Sequence, residues 1–318
     1  MTAAETERAE AVVATKTAET LDERSVYVSL TLSAVGIRRR VATEDVTGQT
    51  NGETATDAPE NQMLHVAKDI FDADELKAVR KAQRDIYVWL FVRGYRSAQR
   101  GYHRLPLSFV EPMVKYFDEK ETEVAEHVEH LIGRYPEIKE NAKRRLGKLY
   151  AEADYPSASE LRAAFKTDWH FMAPAVPGQL TSISRSLYER EAAKAAQRAE
   201  EEREMIVAAL RQQFAELVQH MAAILESGVD GKAKRFRESS LENAREFLGL
   251  FDAKNIGGDQ QLPQLVARAK QLLEGVDTEQ LKSDKDLRDR IKEGFAQVKE
   301  AMAGMVTLKA SRAVKLQD

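Results

Sequence analysis

Four arginines spaced 3, 4 and 4 residues apart, Arg93, Arg96, Arg100 and Arg104, carry the clearest chemistry in this sequence. On a helix that spacing lines all four guanidinium groups along one stripe. Trp89 falls on the same stripe one turn before Arg93, placed for a cation–π contact, and Tyr95 and Tyr102 stand two turns apart on a neighbouring face. Guanidinium groups for phosphates and ring faces for bases are how single-stranded nucleic acid is held. Arg and Tyr are equally typical anchors of a protein interface. A third use is internal, with the acid-rich stretch from Asp118 to Glu129 folding back to neutralise the arginines. Gly94 and Gly101 weigh against an unbroken helix, at about 1 kcal/mol each relative to Ala. The expected site is thus a partner- or nucleic-acid-binding set of Trp89, Arg93, Tyr95, Arg96, Arg100, Tyr102 and Arg104.

Other chemistry is sparse. In "ETEVAEHVEH" a helix would bring Glu123, His127 and His130, with Glu126, onto one face, a two-His, one-carboxylate pattern. The same spacing more commonly makes a solvated face of Glu/His pairs, and no metal is expected. His170, between Trp169 and Phe171, reads as a packed or hydrogen-bonded histidine rather than a base. "GVDGKAK" lacks the Ser/Thr and the upstream glycine of a phosphate-binding loop. "DKDLRD" begins like a calcium loop and fails at Asp289 and Phe295, where Gly and Glu are needed. No Gly-x-Ser-x-Gly elbow is present, and with no cysteine there is neither a thiolate ligand nor a thiol nucleophile. The expectation is a non-enzyme without a cofactor.

The elements that would position these residues are mostly helical. Residues 1–24 are Ala/Glu/Thr-rich and read as a disordered tail. A β element at 25–42 follows, with Val26, Val28, Leu30 and Leu32 alternating against polar residues. Small polar residues make 43–62 a flexible linker. From 63 to 178 we expect a helical domain with a short extended segment. It holds a short strand in "MLHVAKDIFD", then a helix capped by Asp72 or Asp74 that carries Leu76, Val79, Ile86 and Leu90. A second helix starts near Ser108 and is closed by Gly133 and Pro136, and a third starts at the Ser157/Glu160 capping box. "TDWHFMAPAVP" is extended, since Pro174 and Pro177 forbid a helix.

A long helix fills 179–227, where residues 182–227 contain neither Pro nor Gly. Its second half carries Ile206, Leu210, Phe214, Leu217, Met221 and Ile224 as a coiled-coil-like seam. A C-terminal helical bundle occupies 228–306, with helices near 232–251, 261–274 and 283–305, and 307–318 is a tail. The fold class is mainly α, an elongated helical protein with a small N-terminal β element.

Bulk properties agree. The 318 residues are 43% hydrophobic and 31% charged with only 7% aromatics, a balance that suits long amphipathic helices. A net charge of −4 confines any attraction to nucleic acid or anionic lipid to local patches, such as "GIRRRV" at 36–41 and "NAKRRLGK" at 141–148. The N-terminus lacks a basic-then-apolar leader, and "IYVWLFV" is far short of the ~20 residues that span a bilayer. A soluble, cytoplasmic protein of the host cell is expected, with no membrane association.

Two segments, "YPSASELRAAFKTDWHFMAPAVP" and "FRESSLENAREFLGLFDAKNI…DQQLPQLVARAKQLLEGVD", resemble a family of bacterial and phage proteins defined only as a domain of unknown function. The resemblance covers roughly 25–306 and rests mostly on caps and core positions. It supplies no catalytic residue. It implies a genomic setting beside a MoxR-type AAA+ ATPase and a von Willebrand-type protein, and hence a non-catalytic adaptor of a phage or mobile element. The expected partner is a protein, with that ATPase first. Nucleic acid bound by the Arg/Tyr stripe is the alternative, and self-association through the long helix is left open.

Overall fold

The computed structural model describes residues 21–41, 67–173, 175–226 and 238–305. In chain order the elements are β1 (Ser25–Leu32), β2 (Arg38–Arg40), β3 (Ala67–Asp69), α1 (Lys77–Arg93), β4 (Tyr95–Arg96), β5 (Tyr102–Pro106), α2 (Val110–Gly133), α3 (Tyr135–Leu146), α4 (Ala158–Ala164), β6 (Thr167–Met172), α5 (Leu180–Ile183), α6 (Arg185–Glu226), α7 (Glu238–Lys254), α8 (Leu262–Leu273), α9 (Thr278–Ser283) and α10 (Lys285–Met302). The chain is mainly helical with a minor β part: a four-stranded sheet of order β4-β5-β1-β6 and a β2-β3 ribbon. No helix among the described residues is long and apolar enough to cross a membrane. The expected linker at 43–62, the first 20 residues and the tail at 307–318 lie outside the described residues.

The described residues divide into two compact units, one drawn from 1–27, 93–109 and 173–318, the other from 28–92 and 110–172. In the second unit α1 buries Val79, Ala82, Ile86, Trp89 and Leu90, the helical spacing expected of a core face. The turn before it is closed by Glu75, whose carboxylate accepts the Asp72 N–H at 2.7 Å. Gly133 ends α2 as expected. Pro136 instead falls in the first turn of α3, where a missing N–H costs no hydrogen bond, so it opens a helix. The Ser157/Glu160 capping box is formed at the start of α4. Phe71 stacks on Tyr135 with ring centroids 6.1 Å apart, in a core shared with Leu76, Val124, Val128, Ile138 and Leu161. β6 is the expected extended segment: Trp169 donates to Glu121 at 3.1 Å and meets Phe117 edge-on. His170 is exposed on that strand. "GIRRRV" supplies β2, whose Arg38, Arg39 and Arg40 pair with Asp69, Lys68 and Ala67 of β3.

The first unit is built around α6, 42 residues and so about 63 Å long. Its C-terminal half buries Ile206, Leu210, Phe214, Val218, Met221 and Leu225. The seam therefore drifts from the expected register: Leu217 and Ile224 are only half-buried, and Val218 and Leu225 take their places. A straight helix turns 3.6 residues per turn, so a stripe facing a bundle follows spacings of 4, 4, 4, 3, 4 rather than a strict heptad. Leu248 and Phe251 of α7, Val266 and Leu273 of α8, and Ile291, Phe295 and Val298 of α10 complete this core. α8 and α10 approach closely because residue 294 is glycine; a Cβ there would run into the Leu272 side chain. Asp277 with Gln280 caps α9, and Asp284 caps α10.

Two departures concern the N-terminus. Residues 21–24 are a helical turn and not tail, with Leu21 only 1% exposed against Tyr95, Ile206 and Ile256. In β1 the expected apolar alternation is inverted at the start: Ser25 and Tyr27 are buried while Val26 is half-exposed. The reason lies in what those two polar side chains bind.

Candidate binding site

The arginine stripe does not form. α1 ends at Arg93, and after Gly94 the chain enters the β4–β5 hairpin, in which Tyr95 pairs with Arg104 and Arg96 with His103. Gly101 sits in the connecting turn with φ +86°, a left-handed conformation that costs glycine nothing. Once the segment has a period of two, its residues split between faces. Tyr95 and Arg104 turn inward and are 4% and 1% exposed. Arg96 and Arg100 are exposed, Tyr102 is half-buried, and Arg93 bonds Glu246 at 3.0 Å. Trp89, in the second unit, is buried and stacks on Tyr116 at 5.8 Å. Of the seven expected site residues, the structure brings Tyr95 and Arg104 together as a cross-strand pair and leaves Arg96 and Arg100 at the surface.

What surrounds Arg104 was not legible from the stripe. Its Nε donates to Glu202 Oε2 at 3.2 Å, Nη1 donates to Asp22 Oδ1 at 2.9 Å and to Ser25 Oγ at 3.0 Å, and Nη2 donates to the Tyr27 hydroxyl. The guanidinium also lies over the Tyr27 ring, 4.0 Å from its centroid. Tyr27 in turn donates to Glu202 Oε2 at 2.6 Å, and Ser25 to the Leu21 carbonyl. Burial works against the Arg104 charge, but Glu202, Tyr27 and Asp22 more than offset it and raise its pKa. Burial first, then the hydrogen bond to Glu202, pushes the Tyr27 hydroxyl up to about 12. Glu202 is 2% exposed, and its second oxygen, Oε1, is buried without a hydrogen-bond partner. A buried carboxylate oxygen in that state is uncommon in a folded protein.

Arg104, Tyr27 and Glu202 line a cavity of about 1020 Å³ in the first unit. Alanines of α6, among them Ala192, Ala196 and Ala199, also line it, with Tyr188, Glu189, Arg198 and Gln99.

A second polar burial lies near Tyr95, whose hydroxyl donates to the Lys254 carbonyl at 2.8 Å. The Lys254 ammonium is buried, donates to Gln213 at 2.8 Å, and sits 5.6 Å from the Tyr95 ring. Burial, with repulsion from Arg93, lowers its pKa to about 8. A folded-state pKa below the unfolded one means that the unfolded chain binds the extra proton between about pH 8 and the ordinary lysine value. Stability from this group should therefore rise with pH across that window, by up to about 3 kcal/mol. Hydrogen exchange of α6 amides at pH 7.5 and 10 should show the gain in wild type, and Lys254→Met should remove the difference. An equal gain in the variant would assign the effect to other groups.

Elsewhere, Glu123 Oε1 lies 3.6 Å from His127 Nε2 and its other oxygen 2.6 Å from Lys120. Among the described residues no group of three His, Asp or Glu side chains converges on a metal position. On α1, Tyr87, Val88, Phe91 and Val92 are 39%, 42%, 49% and 41% exposed, and Tyr87 stacks on Phe91 at 6.0 Å. No protein-family model matches the chain, no curated protein matches it, and no solved structure matches it.

Proposed function

We propose that the protein is a non-catalytic helical adaptor that binds another protein, the first partner to test being a MoxR-type AAA+ ATPase of a phage or mobile element. The observation that carries this reading is the apolar face of α1. Tyr87, Val88, Phe91 and Val92 stand at i, i+1, i+4 and i+5, so four large apolar side chains share one helical surface, each about two-fifths or more exposed. Single exposed apolar residues are ordinary, but an aromatic-rich patch of this kind marks interaction surfaces. The choice of ATPase comes from the family resemblance alone.

The test is retention of a purified MoxR-type ATPase on the immobilised full chain, at moderate salt and after nuclease treatment. Phe91→Asp should weaken retention at least about tenfold, with helix content by circular dichroism unchanged. Retention that is indifferent to Phe91→Asp would overturn the α1 surface. Capture that disappears with nuclease and falls steeply with salt would favour the nucleic-acid reading, for which Arg96 and Arg100 on the hairpin supply the exposed charge.

A further inference from the structure

We infer that the exposed face of α1 docks a partner helix that is acidic over one end and apolar over the other, which rests on the interaction surface proposed above. The apolar patch is only half of that face. Arg80, Lys81 and Arg84 are exposed as well, and each stands seven residues, close to two helical turns, before Tyr87, Val88 and Phe91 respectively. Residues so spaced share one side of a helix, so a basic half and an apolar half lie end to end, about 10 Å apart. The opposite side of α1 is spent on the core through Val79, Ala82, Ile86 and Leu90.

The acids near this face are already engaged. Asp85, the acid within α1, lies 3.5 Å from Lys120, and Asp74 lies 3.8 Å from Lys77. Asp72 faces Arg145 at 3.5 Å, and Glu75 accepts the Asp72 N–H. No described acid pairs with Arg80, Lys81 or Arg84. The first turn of α1 holds no acid either, although the helix dipole favours one there, so local helix stability does not account for the cations. Charge complementarity then selects the occupant. The α1 face of a second copy offers no acid: paired parallel, the cations would oppose one another, and paired antiparallel they would be desolvated against Val88 and Val92. A flat lipid surface meets both halves at one depth, so burying the apolar half by about 5–10 Å would carry the cations down with it. A partner helix meets each half with its own chemistry, acids opposite Arg80, Lys81 and Arg84 and apolar anchors two turns away.

The probes are two labelled helical peptides of about 18 residues, each with leucines on one face of its C-terminal half. On the same face of the other half, one carries glutamates and its counterpart lysines. Fluorescence anisotropy with the full chain should give a dissociation constant of about 100 μM or tighter for the glutamate peptide, and one at least about tenfold weaker for the lysine peptide. Arg80→Glu combined with Arg84→Glu keeps good helix formers at exposed positions and should invert that order. Phe91→Asp should weaken the glutamate peptide at least about tenfold. Equal binding of the two peptides, an order that survives the charge reversal, or binding indifferent to Phe91→Asp would each overturn the assignment. So would co-sedimentation of the chain with phosphatidylcholine–phosphatidylserine vesicles that both variants abolish. ATPase retention that falls with Phe91→Asp but ignores the charge reversal would keep the adaptor and overturn the acidic helix. Peptide binding that inverts on charge reversal, with no ATPase retained, would keep the acidic helix and overturn the ATPase.

Discussion

Arg104→Met should cost about 3–5 kcal/mol, the largest loss expected from a single change to a charged residue among the described residues. The guanidinium is 1% exposed and pairs with Glu202, which is itself buried. Taking it away leaves a carboxylate out of water with one hydrogen bond, from Tyr27, and leaves Ser25 and Asp22 without their common donor. The cost is of breaking a pair, not a measure of what the pair contributes. Replacing Arg104 and Glu202 together by Met should therefore recover a large part of the loss. Arg104→Lys should not recover it, because one ammonium cannot repeat a fork that reaches Glu202, Asp22, Ser25 and Tyr27 at once. The readout must come from the first unit. Both tryptophans, Trp89 and Trp169, belong to the second, so tryptophan fluorescence would follow the wrong transition. Hydrogen exchange of α6 amides reads the right one. A loss below about 1 kcal/mol would mean that Glu202 reaches water once Arg104 is gone, and that the network is looser than its burial indicates.

This network also shows where reading the chain as a sequence runs out. Helices were legible because they repeat: α1, α4, α6, α8 and α10 announce themselves by apolar spacing and by caps such as Ser157 with Glu160. The hairpin was not, since two residues of β4 and five of β5 are too short for a period of two to stand out against arginines spaced 3, 4 and 4. The signal that could have found it was punctuation. Gly94 and Gly101 bracket the first strand and Pro106 ends the second, a pattern that fits a turn better than a helix. Arg104 belongs to the spaced arginines, and the structure buries it against Glu202, Asp22, Ser25 and Tyr27. Glu202 lies 98 residues away in a run of five consecutive charged residues, from Glu200 to Glu204, where nothing distinguishes the one that is buried. Pairings of that separation are fixed by tertiary packing, and a single sequence does not encode them locally. The same holds for Asp22, which the Ala/Glu/Thr-rich composition of residues 1–24 assigned to tail. Intramolecular neutralisation of the arginines was among the readings. The acids that do it for Arg93 and Arg104 are Glu246, Glu202 and Asp22.

Phe214→Ala should destabilise the first unit by about 3–5 kcal/mol, while Leu217→Ala, three residues on, should cost less than about 2 kcal/mol. Both residues belong to the seam as the sequence spaces it, so their difference tests the register of α6. Phe214 is fully buried, stacks on Phe247 at 6.2 Å, and lies in the core shared by α6, α7, α8 and α10. Truncation there removes a whole ring from that core and leaves a cavity that the surrounding helices close only partly. Leu217 is half-buried at the edge of the same core, where water can take the vacated space. Val218, not Leu217, holds the inward position and is 1% exposed. Exchange-derived opening energies of α6 amides would check both variants in one experiment, because the two sites lie on one helix and share one unfolding reference. If the two losses came out equal, the helix would be rotated so that 217 and 224 face inward, as a heptad requires. The alanine face at 192, 196 and 199 would turn with it, away from the cavity that Glu202 also lines. The register of α6 therefore sets both the core formed by its C-terminal half and the cavity lined by its alanines.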